Sequence, residues 1–481
     1  MQVLNNILRY KSNKSYLRES IISLLVIFLT LIIALWWYRE RMFHFDASFY
    51  LFELVQKNRF NFFHDRYISF FTQSLPLALH YFGFSLKTVA RSYSASLPLA
   101  QLVILFFLFR WIKDGRYLML FLLVILTSVR YRFFSPISET HFVLIFSFLY
   151  FLFAQRTALK YRWENTATLL AIFLASLSHP VAIVPVLALW GITVITREKA
   201  QLPQRIYELV AIVIFFGWRF WLVAGNEYES GKLGVVKRLG SILSDLPDLL
   251  VTQMVFEYLT LWHLVQWIVF LIMTGWLLVK GKVIEALSGV GFSLMILVMV
   301  LVTYSYLDFR VYHMFEGYLS FISLGWMIPA YFLIRENASW KKLFLLMGVS
   351  LFTSFWSISE VKDYYSDREN YLTQVYKPWT DKGNKKLVMS RDVFPWRQLW
   401  YNWAVPYETL LMSASLERTN AVTLLVPDSE EKFELVQREL DYFFGPWESI
   451  PMEDLDTLYF SFPRQQYLNI SDAELPSDFF Q

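Results

Sequence analysis

The sequence predicts an all-α polytopic membrane protein that ends in a small α/β domain. Of the 481 residues, 56% are hydrophobic and only 17% are charged, and the mean hydropathy is +0.39. An ordinary soluble domain carries about a quarter charged residues, so a soluble enzyme is excluded. Aromatic residues make up 19% of the chain, which suits a protein with two membrane interfaces to line. Cysteine is absent, which excludes disulfides, thiolate metal sites and thiol catalysis.

Transmembrane helices are predicted throughout residues 1–358. A hydrocarbon core of about 30 Å needs about 20 apolar helical residues, and runs of roughly this length recur through three quarters of the chain. Two short runs meet at His179-Pro180 and are read as a helical hairpin, because proline disfavours helix at the preceding residue. About eleven spans are predicted, at 21–38, 92–112, 117–133, 138–155, 167–179, 181–196, 207–224, 259–279, 284–306, 316–334 and 343–358.

The distribution of basic residues predicts the orientation in a cell (inner) membrane. Basic residues precede the first span and recur in every second short loop, which places the N-terminus in the cytoplasm. The first outer loop is also basic, but it is some fifty residues long, and long loops obey this rule less strictly. The basic residues used here are Arg9, Lys11, Lys14, Arg18, Lys113, Arg116, Arg156, Lys160, Arg162, Arg197, Lys199, Arg205, Lys280, Lys282, Arg335, Lys341 and Lys342. The first span lacks a small-residue cleavage site and is expected to remain as an anchor.

An odd number of spans places the C-terminus outside the cell membrane, on the periplasmic side. Residues 359–377 are predicted to be a linker, and residues 378–481 a soluble domain with 9 basic and 17 acidic residues. Strands are expected at 387–394, 421–426 and 458–462, and a helix is expected at 429–444 from the spacing of its apolar residues. The acidic domain could contribute to substrate binding or bind a protein partner.

The first outer loop, residues 39–90, is the most informative stretch. Asp46 lies eight residues beyond the predicted end of the first span, at the outer membrane interface. The residues that follow mix aromatic, apolar and charged side chains, as an amphipathic interfacial helix does. A carboxylate there could act as a general base towards a hydroxyl or amine. The alternative is a solvated aspartate that caps this helix.

The order of these features resembles the GT-C superfamily of glycosyltransferases, which includes protein O-mannosyltransferases and aminoarabinose transferases of lipid A. The resemblance covers roughly residues 20–335. It rests on Asp46-Ala47-Ser48-Phe49-Tyr50, on Leu75-Pro76-Leu77 leading to Phe82-Gly83-Phe84-Ser85 and Arg91, on Ser178-His179-Pro180 and on the segment from Tyr306 to His313. Two departures stand out. The family usually has near-adjacent carboxylates, whereas Asp46 is followed by an acid only at Glu53. Glu139 takes the place of the acid in the second outer loop.

The resemblance implies transfer of a sugar from a polyprenyl-phosphate donor to a lipid, glycan or protein acceptor at the outer face. Asp46 would be the base. Positive charge near the departing phosphate would come from Arg310, Arg91 or His313, and arginine suits this role because it can donate in a bidentate geometry. For Arg310 the alternative is a loop anchor beside lipid headgroups, and for Arg91 a snorkelling interfacial side chain.

Two histidines and two glutamates complete the candidate site. His179 could bind the carrier phosphate or cap a helix end, and Glu53 is a candidate substrate ligand. Glu139 and His141 are also candidate substrate ligands, and with Asp46 they could hold a divalent metal ion. Their spacing of two residues is not a ligand motif, so no cofactor is predicted.

Two other classes of function stay open from the sequence. A transporter or scramblase for a lipid-linked intermediate would need ionisable residues deep in the spans and often a duplicated architecture. A non-catalytic GT-C-like scaffold would bind lipid and recruit a partner through the acidic domain. Phosphate-binding glycine loops and hydrolase motifs are absent, and the basic residues follow topology, so nucleic acid is not an expected partner.

Overall fold

The computed structural model describes residues 17–112, 114–156, 162–196, 202–226, 242, 244–307, 310, 312–336, 338–399 and 401–472. The basic residues predicted to set the orientation at positions 9, 11, 14, 113, 160, 197 and 199 lie outside these ranges, as do 308, 309 and 311 of the late outer-loop motif and the end of the acidic domain.

The described chain is predominantly helical. Its first helices are α1 (Leu17–Trp36), α2 (Tyr38–Met42), α3 (Phe45–Lys57), α4 (Phe70–Tyr81), α5 (Leu86–Ile112), α6 (Gly115–Leu126), α7 (Thr140–Arg156), α8 (Arg162–Ser178), α9 (Ile183–Ile195) and α10 (Leu202–Val223). The following ones are α11 (Leu250–Glu257), α12 (Leu264–Val279), α13 (Val283–Thr303), α14 (Tyr312–Leu319), α15 (Ile322–Arg335), α16 (Trp340–Thr380), α17 (Trp396–Leu399), α18 (Val405–Ala414) and α19 (Glu430–Arg438).

Six helical segments in the described residues are long and apolar enough to cross a membrane, which confirms a helical membrane protein. They are α1, α5, α10, α13, α14 with α15, and α16. A seventh is added if Leu250–Trp262 and Leu264–Val279, which are bent by 79° relative to each other, form one span. Helices also cover the other predicted spans, but α6, α7, α8 and α9 have only 12 to 17 residues. Eleven spans therefore remain a prediction.

The helix α15 lies at the centre of the membrane part. Within the span formed by α14 and α15, residues 315–334 are all buried. Helix α15 packs against α6, α12 and α13. Its approach to α13 depends on Gly325, because a Cβ atom there would overlap Ser293 Oγ and lie 3.3 Å from the Gly289 carbonyl oxygen. Close packing of this kind is typical of small residues between membrane helices.

The segment 359–377 is not a linker, because it forms the second half of the 41-residue helix α16. At 1.5 Å per residue this helix is roughly 60 Å long, about twice the thickness of a hydrocarbon core. Its second half buries Val361, Tyr365, Arg368 and Leu372 on one side, at the spacing of a helix face. This buried face makes the segment a packed structural element.

The C-terminal region, residues 378–472, contains two small sheets. Its strands are β1 (Lys386–Val388), β2 (Thr423–Leu425), β3 (Tyr442–Phe444), β4 (Ser449–Pro451) and β5 (Leu468–Asn469). The order β2-β1-β5 is parallel, with Leu387 opposite Leu424 and Leu468, and β3 pairs with β4 in antiparallel orientation.

Two local predictions for this region were wrong. Residues 458–462 form no strand, because Tyr459 turns towards α4 and donates to the Phe84 carbonyl oxygen at 2.8 Å. The helix predicted to reach 444 ends at Arg438, because 442–444 pair with β4.

Residues 39–90, predicted to form the first outer loop, pack directly against the C-terminal region. Helix α3 contacts α18, with the Phe52 and Tyr407 rings 4.9 Å apart. The His80 ring in α4 lies 3.1 Å from the Tyr459 hydroxyl. Residues from both parts belong to one buried apolar cluster, so the surroundings of Asp46 are built from the two ends of the chain.

Candidate functional site

Asp46 lies in the first turn of α3. This helix begins after His44, which has extended backbone angles, and buries an apolar face that includes Leu51, Phe52 and Val55. The Asp46 side chain is exposed. A carboxylate in the first turn is favoured by the helix dipole. The position of Asp46 therefore stabilises its negative charge and leaves the carboxylate accessible.

Arg132 is one cation that the fold brings within electrostatic range of Asp46. It belongs to a short 3-10 helix, Tyr131–Phe134, between α6 and α7. Its guanidinium interacts electrostatically with Glu139, Glu316 and Asp46, and burial lowers its pKa. Nη2 donates to Thr140 Oγ1 at 2.7 Å, whereas Nε is buried without a hydrogen-bond partner among the described residues. This arginine therefore has unused donor capacity beside a carboxylate.

The loop that carries Arg132 is fixed by the buried carboxylate of Glu316. The backbone N–H groups of Arg130, Tyr131 and Arg132 all donate to it, at 2.9 Å from Tyr131 and 3.0 Å from Arg132. The Arg132 guanidinium packs over Gly317, where a Cβ atom would lie 3.2 Å from Cζ. Glu316 and Gly317 thus determine where Arg132 lies.

A buried ion pair forms the next part of the site. Arg66 Nη1 lies 3.1 Å from Glu139 Oε2, and both side chains are almost entirely buried. Tyr50, one helical turn after Asp46, interacts electrostatically with Glu139, Arg66 and Asp46, and burial raises the pKa of its hydroxyl. Three segments, at 46–50, 66 and 132–139, therefore meet at one place.

The loop before Arg66 is held by a membrane helix. Arg219 in α10 donates to the carbonyl oxygens of Asp65 at 2.8 Å and His64 at 3.1 Å. His64 and Asp65 both have positive φ angles, 53° and 58°, which are uncommon outside glycine. The bonds from Arg219 support this conformation and give a structural role to an arginine in an apolar run.

Aromatic side chains of the C-terminal region line the space near Asp46. Tyr401 interacts electrostatically with Asp46. The Tyr401 and Trp403 rings are 6.1 Å apart, and Trp403 lies 5.2 Å from Trp447. Trp447 also lies 5.2 Å from Phe49 of α3 and is 64% exposed. These aromatic residues were not among the sequence-predicted site residues, although Tyr401-Asn402-Trp403 is an aromatic-rich segment in an acidic region.

The fold gathers four of the predicted site residues around Arg132. Besides Asp46 and Glu139, His141 Nε2 lies 3.2 Å from the Arg132 carbonyl oxygen. His313 interacts electrostatically with Arg132, and its ring stacks on Phe45 at 4.9 Å. Arg132 itself was not predicted, because it lies in none of the segments that carry the family resemblance.

The other predicted residues have different partners. Arg310 is half-exposed and pairs with Glu257 at 2.5 Å, and the Arg91 guanidinium lies 4.9 Å from the Tyr38 ring centroid. His179 caps a short 3-10 helix by accepting the Val181 N–H at 3.1 Å, and its Nε2 lies 3.3 Å from the Tyr318 hydroxyl. Glu53 pairs with Lys57.

A metal site is not formed by the described residues, which contain no group of three or more potential His, Cys, Asp or Glu ligands. Glu139 is paired with Arg66 and His141 with a backbone carbonyl. The charges of this site are therefore balanced by arginines.

Comparison with known proteins gives no match to a protein-family model, to a curated protein or to a solved structure. The resemblance to GT-C enzymes thus rests on the residues and on the order of the outer loops. What the protein does has to be inferred from the geometry around Asp46.

Proposed function

We propose that this protein is a membrane glycosyltransferase of GT-C type. It moves a sugar from a polyprenyl-phosphate donor to a lipid, glycan or protein acceptor at the outer face of the membrane. One observation carries the proposal: an exposed carboxylate at the start of α3, Asp46, shares a cluster with an arginine that has unused donor capacity, Arg132. Sugar transfer requires a base for the acceptor on one side of the sugar and a cation for the departing phosphate on the other.

The proposed reaction uses the two groups on opposite sides of the sugar. Asp46 accepts the proton of the acceptor hydroxyl or amine as that atom attacks the anomeric carbon. The bond between the anomeric carbon and the phosphate oxygen breaks, and the electron pair leaves with the polyprenyl phosphate. Arg132 stabilises the departing phosphate, since preorganised donors aimed at developing charge act strongly in a partly dry site. Attack from the face opposite the phosphate inverts the anomeric centre.

The aromatic residues beside Asp46 support a sugar as the transferred group. Tyr401, Trp403 and Trp447 present flat apolar surfaces that also carry polar atoms, and ligand sites combine such surfaces with a few placed polar groups. The C–H faces of a pyranose match these rings, and its hydroxyls match the neighbouring carboxylates. The C-terminal region would in this way contribute to acceptor binding.

The topology that goes with this function has eleven spans in a cell (inner) membrane. The N-terminus would lie in the cytoplasm and the C-terminal region on the outer side, where its helix α18 contacts α3 of the first outer loop and α16. Binding of a protein partner through the acidic surface of the C-terminal region is compatible with this arrangement.

The proposal is tested by glycan analysis of cells that lack the protein. Lipid-linked and surface glycans are compared by mass spectrometry after complementation with wild type, Asp46→Asn or the control Asp363→Asn, whose side chain is 79% exposed. We expect the null and Asp46→Asn strains alone to accumulate a polyprenyl-phosphate sugar and to lack one sugar residue in a glycan. A wild-type profile for Asp46→Asn at equal expression would contradict the enzyme and favour the scaffold.

A further inference from the structure

The residue before Asp46 has an unusual backbone conformation. Phe45 has a φ angle of +46°, in the left-handed region that bulky side chains avoid. Such conformations persist where the surroundings hold them, and they cluster at functional sites. Here the Phe45 N–H donates to Glu408 Oε1 at 2.7 Å. The acceptor comes from α18, 363 residues further along the chain.

Glu408 is itself held by a buried arginine of the long helix α16. Arg368 Nη2 lies 2.8 Å from Glu408 Oε2, Arg368 Nε lies 3.2 Å from the same oxygen, and both side chains are fully buried. Arg368 also donates to the Leu399 carbonyl oxygen, and its guanidinium lies 4.4 Å from the centroid of the Phe45 ring. We call Phe45, Arg368 and Glu408 the Phe45 clamp.

Stability alone does not require a buried ion pair between Arg368 and Glu408. Burying an ion pair costs desolvation, and replacing such a pair by apolar residues of similar volume is often neutral or stabilising. An apolar pair could fill the same space, but it could not accept the Phe45 N–H. The distinctive contribution of Glu408 is therefore the hydrogen bond that holds the residue next to Asp46.

We propose that Glu408, oriented by Arg368, is a positioning residue that sets the direction of the Asp46 carboxylate. This rests on the proposed function, in which Asp46 is the base. The backbone angles of Phe45 determine how α3 begins, and hence where the first side chain of its exposed face points. The C-terminal region thereby becomes part of the active site.

The absence of cysteine allows a test that needs no turnover. In full-length Asp46→Cys protein, purified in detergent, the rate of thiol alkylation by a maleimide is measured against pH to obtain the pKa of the thiol. A helix N-terminus and a nearby arginine hold a thiol below its usual pKa of about 8.5. The clamp is replaced either by the apolar pair Arg368→Met with Glu408→Leu or by the polar pair Arg368→Gln with Glu408→Gln.

The apolar pair should slow alkylation at neutral pH by about tenfold, the change in thiolate fraction for one unit of pKa. The polar pair should keep the parent rate, because a glutamine oxygen can still accept the Phe45 N–H. A matched control is Arg205→Met with Glu208→Leu, since this second pair is also almost fully buried, at 2.6 Å, but has no part in the clamp. It should leave alkylation unchanged.

Equal alkylation in the apolar-pair variant and the parent would overturn the proposal. If the apolar pair does not fold, Arg368→Gln with Glu408→Leu removes the same acceptor without leaving a buried charge, and the same two outcomes apply.

A second readout separates this proposal from the proposed function. With Asp46 in place, the apolar pair should lower kcat by about 100-fold and leave both KM values unchanged, because a displacement of about 1 Å can cost this much. If the wild type transfers no sugar but alkylation still depends on the clamp, the proposed function fails and the positioning role stands. A change in KM alone would overturn the positioning role.

Discussion

Removing only one charge of the Phe45 clamp should destabilise the protein strongly. In Arg368→Met the Glu408 carboxylate stays in a site that is 0% exposed and loses its charged partner. Among the described residues, the Phe45 N–H then remains as its one hydrogen-bond donor. Burial already raises the pKa of Glu408 in the intact protein, with Arg368 and the Phe45 N–H opposing the shift.

The magnitude follows from this burial. Removing one partner of a fully buried ion pair costs about 3–5 kcal/mol. Replacing both residues, as in Arg368→Met with Glu408→Leu, leaves instead an unpaired backbone N–H, which costs about 1–3 kcal/mol before any gain from apolar packing. The single variant should therefore be less stable than the double variant, although the double variant carries more changes.

The assay is thermal unfolding of the detergent-purified proteins, followed by intrinsic fluorescence. At about 2–4 °C per kcal/mol for a domain of moderate size, we expect Arg368→Met to lower Tm by about 10 °C and the double variant to recover at least half of this. Equal Tm values for the single and double variants would refute the reasoning, because they would show that the buried charge of Glu408 carries no penalty.

Two further predictions concern packing and pH. Gly325→Ala should cost about 1–3 kcal/mol by overpacking, since its Cβ would overlap Ser293 Oγ. Gly291→Ala in the same helix pair has open space around it and should keep the wild-type Tm. Burial lowers the pKa of Lys386 in β1 to about 8. Between this pH and about 10.4, the unfolded chain therefore binds more protons than the folded protein, so the Tm of the wild type should rise with pH across that window. Lys386→Met should not show this rise. A flat wild-type profile would contradict the prediction.

The start of a helix near Asp46, shortly after the first apolar run, could be predicted from local sequence. It follows from the end of an apolar run and from the amphipathic pattern after it, both of which depend on residues that are near each other in the chain. The helical membrane part and the strand-like runs at 387–394 and 421–426, which contain parts of β1 and β2, were accessible for the same reason. Residues 359–377 were predicted to be a linker because they contain many charged residues. These residues alternate with the buried face of α16, which the average composition of the segment does not reveal.

The partners of Asp46 could not be predicted in this way. Arg132, Tyr401 and Glu408 reach the site through contacts between segments that are far apart in the chain, and long-range contacts leave no periodic signal. Arg310 was predicted because it lies in a loop with a matching motif, whereas Arg132 lies in no such motif, and the fold pairs Arg310 with Glu257.

The sequence by itself thus determined that this is a helical membrane protein and that Asp46 lies near the start of a helix after the first apolar run. Both follow from hydropathy and helical spacing, which act over a few turns. Only the tertiary structure decided that Arg132 lies within electrostatic range of Asp46. It also decided that the C-terminal region supplies the hydrogen-bond acceptor for the Phe45 N–H. The physical reason is that burial of a charge requires a partner, and the identity of that partner depends on which distant segments pack together.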